Sequence, residues 1–226
     1  PGDAVITTSF SFIATAEVIR LVGATPVFID ICPDTFNINP ALIPEAIQYA
    51  HEHGLNPKAI IPVDLFGMPA PYEEIEKIGQ KKILFVLEDA AQSFGGKISC
   101  RKACSFGDAA ATSFFPAKPL GCYGDGGAMF TDDDEMVDKL KSIRVHGQGE
   151  TKYDNIQIGI NGRMDTIQAA ILLEKLKIFP DEMVKRNYIV SQYKELLSNH
   201  FVCQIIPDGY ASVWAQFSLL ASTTKE

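Results

Sequence analysis

The fold class follows from one stretch of the chain, ILFVLEDAAQ at residues 83–92. Its first half, Ile83 to Leu87, is an almost unbroken apolar run, which is typical of a strand buried on both faces of a parallel sheet. Two acids, Glu88 and Asp89, follow directly, so charged groups stand at the carboxyl end of this strand. Because ligands of open α/β sheets bind beyond that end, we expect the functional site here.

Short β-branched runs alternate with amphipathic segments on both sides of this stretch. The pattern predicts strands at 5–8, 26–31, 59–65, 83–87, 109–115 and 127–131, and helices at 15–21, 40–53, 71–80, 133–145, 164–179 and 181–198. Strands separated by helices predict a three-layer α/β/α fold with a mostly parallel sheet. After Pro180 the pattern changes to that of a long polar helix, and the pattern at residues 213–221 is typical of a strand. We therefore expect a large domain at 1–180 and the start of a smaller C-terminal domain at 181–226.

Composition narrows the class of protein. The net charge of −8 disfavours a nucleic-acid-binding surface, which needs clustered Lys and Arg. The sequence lacks the long apolar stretch of a membrane span and the pattern of a signal peptide. Five cysteines, an odd number without zinc-ligand spacing, favour a reducing cytoplasm and no metal. The chain starts with Pro1, not Met, and runs straight into a predicted strand, which indicates a start within a domain.

Asp89 and Lys118 are the candidate chemical groups. Asp89 either caps the following segment through its side chain or pairs with a cation such as a protonated pyridine nitrogen. Lys118, in TSFFPAKPLG at residues 112–121, is either an ordinary exposed loop lysine or a partly desolvated amine suited to forming a Schiff base. Its position 29 residues after Asp89, with one predicted strand between them, makes the pairing more specific than either residue alone.

Other motifs are less decisive. The glycine-dense GCYGDGG at residues 121–127 matches neither the dinucleotide fingerprint nor the nucleotide phosphate loop. DLFG at residues 64–67 is either a pocket wall or a simple exit from a strand. His146 follows a predicted helix, where it either contacts substrate or is merely stabilised by the helix dipole. No Ser/His/Asp triad and no pair of glycosidase carboxylates stands out.

Three motifs in order, EDAAQ at 88–92, SFFPAK at 113–118 and GINGRMD at 159–165, resemble those of the DegT/StrS-type sugar aminotransferases. The resemblance runs from residue 1 to about residue 179. It implies a fold-type-I enzyme that depends on pyridoxal 5′-phosphate (PLP), with an aspartate aminotransferase-like large domain. Relatives that dehydrate sugars carry His in place of the lysine, so Lys118 argues against a dehydratase.

The resemblance implies a role for each matching residue. Lys118 matches the lysine that binds PLP covalently and moves a proton between the cofactor and the sugar carbon. Asp89 matches the acid that pairs with the pyridine nitrogen, and Gln92 matches a side chain near the PLP hydroxyl. Phe12 matches the aromatic side chain that stacks on the pyridine ring. Ser113 matches a hydroxyl donor to the PLP phosphate.

A second set of residues is expected at a shared site. Asn161 matches a phosphate ligand that reaches in from the neighbouring subunit, which implies a homodimer. Arg163 and His146 are weaker candidates for contact with the substrate. The family also carries an upstream segment with a Gly-Thr pair and a longer C-terminal domain. Because neither is present in the sequence, we expect this chain alone to bind PLP weakly or not at all.

The stretch SFFPAKPLGCYGDGG, residues 113–127, resembles members that aminate C3 of a UDP-linked 3-keto-hexuronic acid derived from N-acetylglucosamine. The resemblance implies glutamate as amino donor, 2-oxoglutarate as its product, and a role in O-antigen or related surface polysaccharide synthesis. Two alternatives stay open. One is a transaminase for another nucleotide-linked keto sugar, at C3 or C4, and the other is a non-catalytic regulatory protein that keeps the fold.

Overall fold

The computed structural model describes residues 1–151 and 153–221. The strands are β1 Asp3–Thr8, β2 Thr25–Ile29, β3 Asn56–Ile60, β4 Phe85–Asp89, β5 Lys97–Ile98, β6 Arg101–Lys102, β7 Ala109–Ser113, β8 Gly127–Phe130, β9 Val202–Cys203, β10 Tyr210–Ala211 and β11 Leu219–Leu220. The α-helices are α1 Ala14–Leu21, α2 Ile43–Glu52, α3 Tyr72–Lys82, α4 Asp134–Arg144 and α5 Thr166–Leu197. Short 3₁₀ turns cover Pro40–Leu42 and Leu65–Gly67.

One six-stranded sheet organises the chain. Its strand order is β2-β1-β3-β4-β7-β8, and every neighbouring pair is parallel except β7 with β8. Helices lie in the connections from β1 to β2, from β2 to β3 and from β3 to β4, as the alternating sequence pattern predicts, whereas the connection from β4 to β7 contains only the short strands β5 and β6. The predicted α/β class with a mostly parallel sheet is therefore confirmed.

Helices cover both faces of this sheet. On β1, Ala4 and Ile6 point into one apolar cluster, which also contains Ile47 of α2 and Ile75 of α3. The side chain between them, Val5, points the other way into a separate cluster with Ile19 of α1. Successive side chains of a strand alternate between faces, so these two clusters are the two interfaces of a three-layer arrangement.

Helix α5 departs from the prediction. Its 32 residues run through Pro180, where the sequence predicts a break between two helices. Proline removes one backbone N–H, which leaves the carbonyl of Leu176 without its usual donor. Leu172 and Phe179 are buried in an apolar cluster with Phe114 and Leu120, and this packing holds the helix on the sheet despite the lost hydrogen bond.

Several predicted boundaries also shift. The strand predicted from Ile83 begins at Phe85, because Ile83 is the left-handed C-cap of α3 and is 92% exposed. The strand predicted at 59–65 is β3, which ends at Ile60. Within 213–221 only Leu219–Leu220 is strand. The division into domains at residue 180 stays a prediction, and residues 222–226 lie outside the described residues.

Candidate active site

The candidate site lies at the carboxyl end of β4, where β4 is hydrogen-bonded to its two neighbours. Asp89, the last residue of β4, lies opposite Ala111 of β7. Its backbone N–H donates to the carbonyl of Pro62 (3.0 Å) and its carbonyl accepts from the N–H of Asp64 (3.0 Å). These bonds fix the backbone of Asp89 between the segment after β3 and strand β7.

The carboxylate of Asp89 is held by two donors from other parts of the site. The hydroxyl of Thr15, in the first turn of α1, donates to Oδ2 (2.7 Å). The backbone N–H of Ala91 donates to Oδ1 (3.2 Å), within a turn rather than at the start of a helix. The helix-cap alternative therefore does not describe Asp89. Two remaining lone pairs can accept from a ligand.

Lys118 is a half-buried amine near this carboxylate. Within residues 1–151 and 153–221, its Nζ forms no side-chain hydrogen bond or ion pair. Burial lowers the pKa of Lys118 below its usual value, while the negative charge of Asp89 acts in the opposite direction. A lowered pKa increases the neutral, nucleophilic fraction of the amine. The exposed-loop alternative is thus disfavoured, and the two predicted groups share one electrostatic environment.

Gln92 is anchored by a turn with unusual backbone geometry. Its Oε1 accepts from the backbone N–H of Phe66 (2.6 Å). Phe66 is a non-glycine residue in the left-handed region, with φ of 61°. Its ring packs edge-on against Phe10 and Phe36, with centroid distances of 6.0 and 5.9 Å. DLFG at 64–67 is therefore more than a strand exit, because it orients Gln92 with its amide N–H groups left for another partner.

Ser113 and Phe12 complete the expected set on this side of the sheet. Ser113 ends β7, and its Oγ accepts from the N–H of Phe115 (3.2 Å), which leaves its proton free to be donated. Phe12 follows β1 immediately before α1 and is 68% exposed, so a flat face of the ring is open for stacking.

His146, Asn161 and Arg163 lie in a different segment. A bridge joins Val145 to Asn161, and the N–H of His146 donates to the carbonyl of Ile160 (3.0 Å), so the chain folds back on the end of α4. The side chains of all three predicted residues are exposed. No hydrogen bond in the described part of the chain links this segment to Asp89, Gln92, Ser113 or Lys118.

The sequence analysis missed Thr15 and the buried polar cluster around Asp64. Thr15 is buried, and its only signal in sequence is a hydroxyl residue in the first turn of a helix that follows β1. Asp64 and Glu88 are completely buried. An acid directly after the apolar run IIPV, residues 60–63, was the available signal for Asp64.

A cleft next to β8 and α4 is a separate feature. It encloses about 1060 Å³ between β7, β8 and α4, and its wall includes Ala111, Gly127 and Met129 but none of the predicted site residues. Among the described residues, no group of three or more His, Cys, Asp or Glu side chains is arranged to hold a metal ion. None of the described helices is long and apolar enough to cross a membrane.

The side chains at the end of β4 fit PLP by their chemistry. Asp89 offers a carboxylate for a protonated ring nitrogen, and Lys118 offers an amine of lowered pKa for the aldehyde. Gln92 and Ser113 offer neutral donors for polar substituents of the ring. This combination of one acid, one unpaired amine and neutral donors is suited to an anionic aromatic aldehyde.

The sequence of the whole chain, residues 1–226, matches the DegT/DnrJ/EryC1/StrS aminotransferase family. The chain belongs to this family. It is 45% identical over 97% of its length to the UDP-2-acetamido-2-deoxy-3-oxo-D-glucuronate aminotransferase of Pseudomonas aeruginosa. It is 42% identical over its full length to a pleiotropic regulatory protein of Geobacillus stearothermophilus, and 40% identical over 97% to a UDP-N-acetyl-3-dehydro-α-D-glucosamine 3-aminotransferase of Acidithiobacillus ferrooxidans. It covers 59%, 60% and 58% of these relatives.

Comparison with solved structures supports the same family. A DegT/DnrJ/EryC1/StrS aminotransferase from Brucella abortus superposes with a TM-score of 0.97 at 54% identity, over 100% of this chain and 61% of that one. The ntda protein of Bacillus subtilis, solved with bound cofactor PMP, gives 0.86 at 32% identity, over 97% and 49% respectively. The family predicted from the sequence is therefore confirmed, and the PMP of the ntda structure agrees with the predicted cofactor class.

The lowered pKa of Lys118 predicts its reactivity with pH. In protein without cofactor, we expect the rate of modification of Lys118 by a small aldehyde to reach half-maximum below pH 10.5. Asp89→Asn removes the charge that raises this pKa, so the midpoint should move to lower pH still. Reductive labelling followed by mass spectrometry measures both, with the exposed Lys102 as internal control. A midpoint at or above 10.5, or an upward shift in Asp89→Asn, contradicts the assignment.

Proposed function

We propose that this DegT-family protein is a PLP-dependent transaminase that transfers the amino group of glutamate to C3 of a UDP-linked 3-keto-hexuronic acid. The observation that carries the reaction class is the half-buried, unpaired Lys118 amine in the field of Asp89. The names of the Pseudomonas and Acidithiobacillus relatives support UDP-linked 3-keto sugars as substrates. The product would supply surface polysaccharide synthesis.

Each residue of the candidate site has a separate role in the proposed reaction. PLP, when bound, supplies an electron sink for the bond that breaks at the amine-bearing carbon. Lys118 would bind the aldehyde group of PLP, and its Nζ, once free again, would carry a proton at the amine-bearing carbon. Asp89, fixed by Thr15 and Ala91, would pair with the ring nitrogen. Gln92 and Ser113 would donate to polar substituents of the ring, and Phe12 would stack on it.

We propose that Asn161 acts at the site of a second subunit, with Arg163 and His146 beside it. Two features support this. Hydrogen bonds fold their segment onto α4 rather than onto Asp89 and Lys118. The same segment also exposes large apolar side chains, with Ile158 at 97% and Ile156 at 67%. Apolar side chains of this size favour contact with another protein surface. We therefore propose a homodimer in which each active site contains residues of both subunits.

All five cysteines are free thiols, which suits the reducing cytoplasm predicted from the sequence. A regulatory role is the second candidate, because the Geobacillus relative carries that description. Retention of Asp89 beside an unpaired, half-buried amine favours catalysis, since an amine whose pKa is lowered by burial next to a specific acid is typical of functional sites.

A reverse assay separates these proposals. The full-length protein is incubated with PLP, 2-oxoglutarate and UDP-linked 3-amino sugars, with and without the C6 carboxylate. UDP-linked 4-amino sugars and dTDP-linked amino sugars are tested in parallel, and the products are identified by mass. We expect glutamate and the keto sugar to form, with the uronate preferred by about tenfold or more, the value of one charge-assisted hydrogen bond. Preference for a 4-amino or dTDP-linked sugar would overturn the substrate, and no amino transfer from any sugar would favour the regulatory role.

A further inference from the structure

Two carboxyl groups, Asp64 and Glu88, lie completely buried beside the residues that position Asp89 and Gln92. Their surroundings are joined, because Tyr72, whose hydroxyl donates to Asp64 (2.8 Å), stacks on Phe106 with a ring-centroid distance of 4.5 Å, and the N–H of Phe106 donates to Glu88 (2.9 Å). None of the ion pairs in the described part of the chain involves either one. Two adjacent carboxylates that form no ion pair are strongly unfavourable in a protein interior, and one proton held between them would remove one of the two charges.

The remaining donors around the pair are all neutral. Asp64 Oδ1 accepts from the N–H of Ala70 (2.9 Å) and the hydroxyl of Tyr72 (2.8 Å), and Oδ2 accepts from the hydroxyl of Ser93 (2.5 Å). Glu88 accepts from the N–H groups of Cys104 (2.7 Å) and Phe106 (2.9 Å). These five bonds can stabilise one negative charge on the pair.

The pair is connected to the site through short links. Ser93, bonded to Asp64, directly follows Gln92, and the N–H of Asp64 donates to the carbonyl of Asp89. Glu88 precedes Asp89 on β4. If Asp64 and Glu88 were both ionised, the second negative charge would lie next to the carboxylate of Asp89, which must stay ionised to pair with a ring nitrogen.

We propose that Asp64 and Glu88 share one proton, carry one negative charge between them, and position Asp89 and Gln92 for the cofactor. The positioning part rests on the proposed function, whereas the shared proton does not. Burial, reinforced by the charge of Asp64, raises the pKa of Glu88 to about 9, and burial raises that of Asp64 to about 6, which places the proton on Glu88.

The shared proton makes stability depend on pH. The folded protein keeps a proton that Glu88 releases above pH 4.5 when unfolded, so the contribution of Glu88 to stability is fully present below that pH and is lost as the pH rises to about 9. Within this window the folding constant attributable to Glu88 decreases about tenfold per pH unit. The other titratable groups near the pair are Tyr72, Cys104, Tyr210, Arg101 and Asp89. Burial raises the pKa of Cys104 to about 12 and raises that of Tyr72 well above its usual value, so both stay neutral here. Burial also raises the pKa of Tyr210, and the bond to Glu76 raises that of Arg101, so Arg101 stays charged throughout this window.

Infrared spectroscopy of the full-length protein at neutral pH tests the proton directly. Wild-type protein should show the C=O stretch of a protonated carboxyl group, shifted by ¹³C-labelled glutamate, with or without PLP. In Asp64→Asn the new amide can donate to Glu88 while Ser93 turns to accept, so Glu88 ionises and the band disappears. Glu88→Gln also removes the band, whereas the exposed Glu73→Gln should keep it. Absence of the band in wild type, or its survival in either Asp64→Asn or Glu88→Gln, overturns the shared proton.

Cofactor affinity tests the positioning. In Glu88→Gln the amide N–H₂ faces a backbone N–H of Cys104 or Phe106, and we expect PLP binding to weaken about tenfold. Asp64→Asn can keep every hydrogen bond and should stay within about threefold of wild type. Equal affinity in wild type and Glu88→Gln overturns the positioning role. If the protein shows the infrared band but never transaminates, the proposed function is wrong and the shared proton still stands. If Glu88→Gln does not fold, the spectrum of Asp64→Asn still tests the shared proton.

Discussion

Replacing Lys118 by alanine is expected to abolish the absorption band of lysine-bound PLP and to lower transamination by about 10⁴-fold, the upper end of what a positioned proton-transfer group contributes. The reason is that Lys118 is the described amine that combines partial burial, a lowered pKa and proximity to Asp89. Absorption spectra of the full-length protein with PLP and single-turnover kinetics with glutamate measure the two losses.

Two further variants make this result specific. Lys118→Arg keeps a positive charge but cannot bind the aldehyde covalently, so it should lose the band as completely as the alanine variant. Lys102→Ala removes an exposed lysine of β6 and should leave both the band and the rate unchanged. A Lys118→Ala protein that still transaminates at a wild-type rate would end the proposal of lysine-based catalysis.

Asp89→Asn has the second largest expected effect. An amide cannot hold a pyridine nitrogen in its protonated, charged form, so we expect kcat to fall on the order of 10²–10³-fold, typical for loss of one preorganised electrostatic contact. Thr15→Val removes only the hydroxyl that orients Asp89 (2.7 Å) and should cost about tenfold, the value of one hydrogen bond to a charged group. Steady-state kinetics of the three proteins should show this graded series.

A cofactor with a permanently charged ring nitrogen distinguishes electrostatics from simple disruption of the fold. N-methylated PLP does not need an acid to keep its charge, so it should restore part of the lost rate in Asp89→Asn but give no gain in wild type. If the methylated cofactor restores nothing, or if Thr15→Val loses as much as Asp89→Asn, the assignment of Asp89 to the ring nitrogen is wrong.

Much of the fold could be predicted because it depends on local sequence. Short apolar runs that alternate with amphipathic segments encode a parallel sheet with helices on both faces, and acids directly after a run mark its carboxyl end. The errors are also local in origin. Ile83 is apolar but caps a helix in the left-handed region, and Pro180 lies inside a helix because packing of Phe179 outweighs one missing hydrogen bond.

The sequence by itself determined the family and the parallel sheet, and it predicted the pair Asp89 and Lys118, because residue type and spacing along neighbouring strands carry that information. Only the tertiary structure decided which groups hold Asp89 and Gln92. Thr15 meets Asp89 across 74 positions of sequence, and Asp64 meets Ser93 across 29. Such contacts, and the burial that forces Asp64 and Glu88 to share a proton, depend on distances between strands and on exclusion of water, which no local pattern of residues encodes.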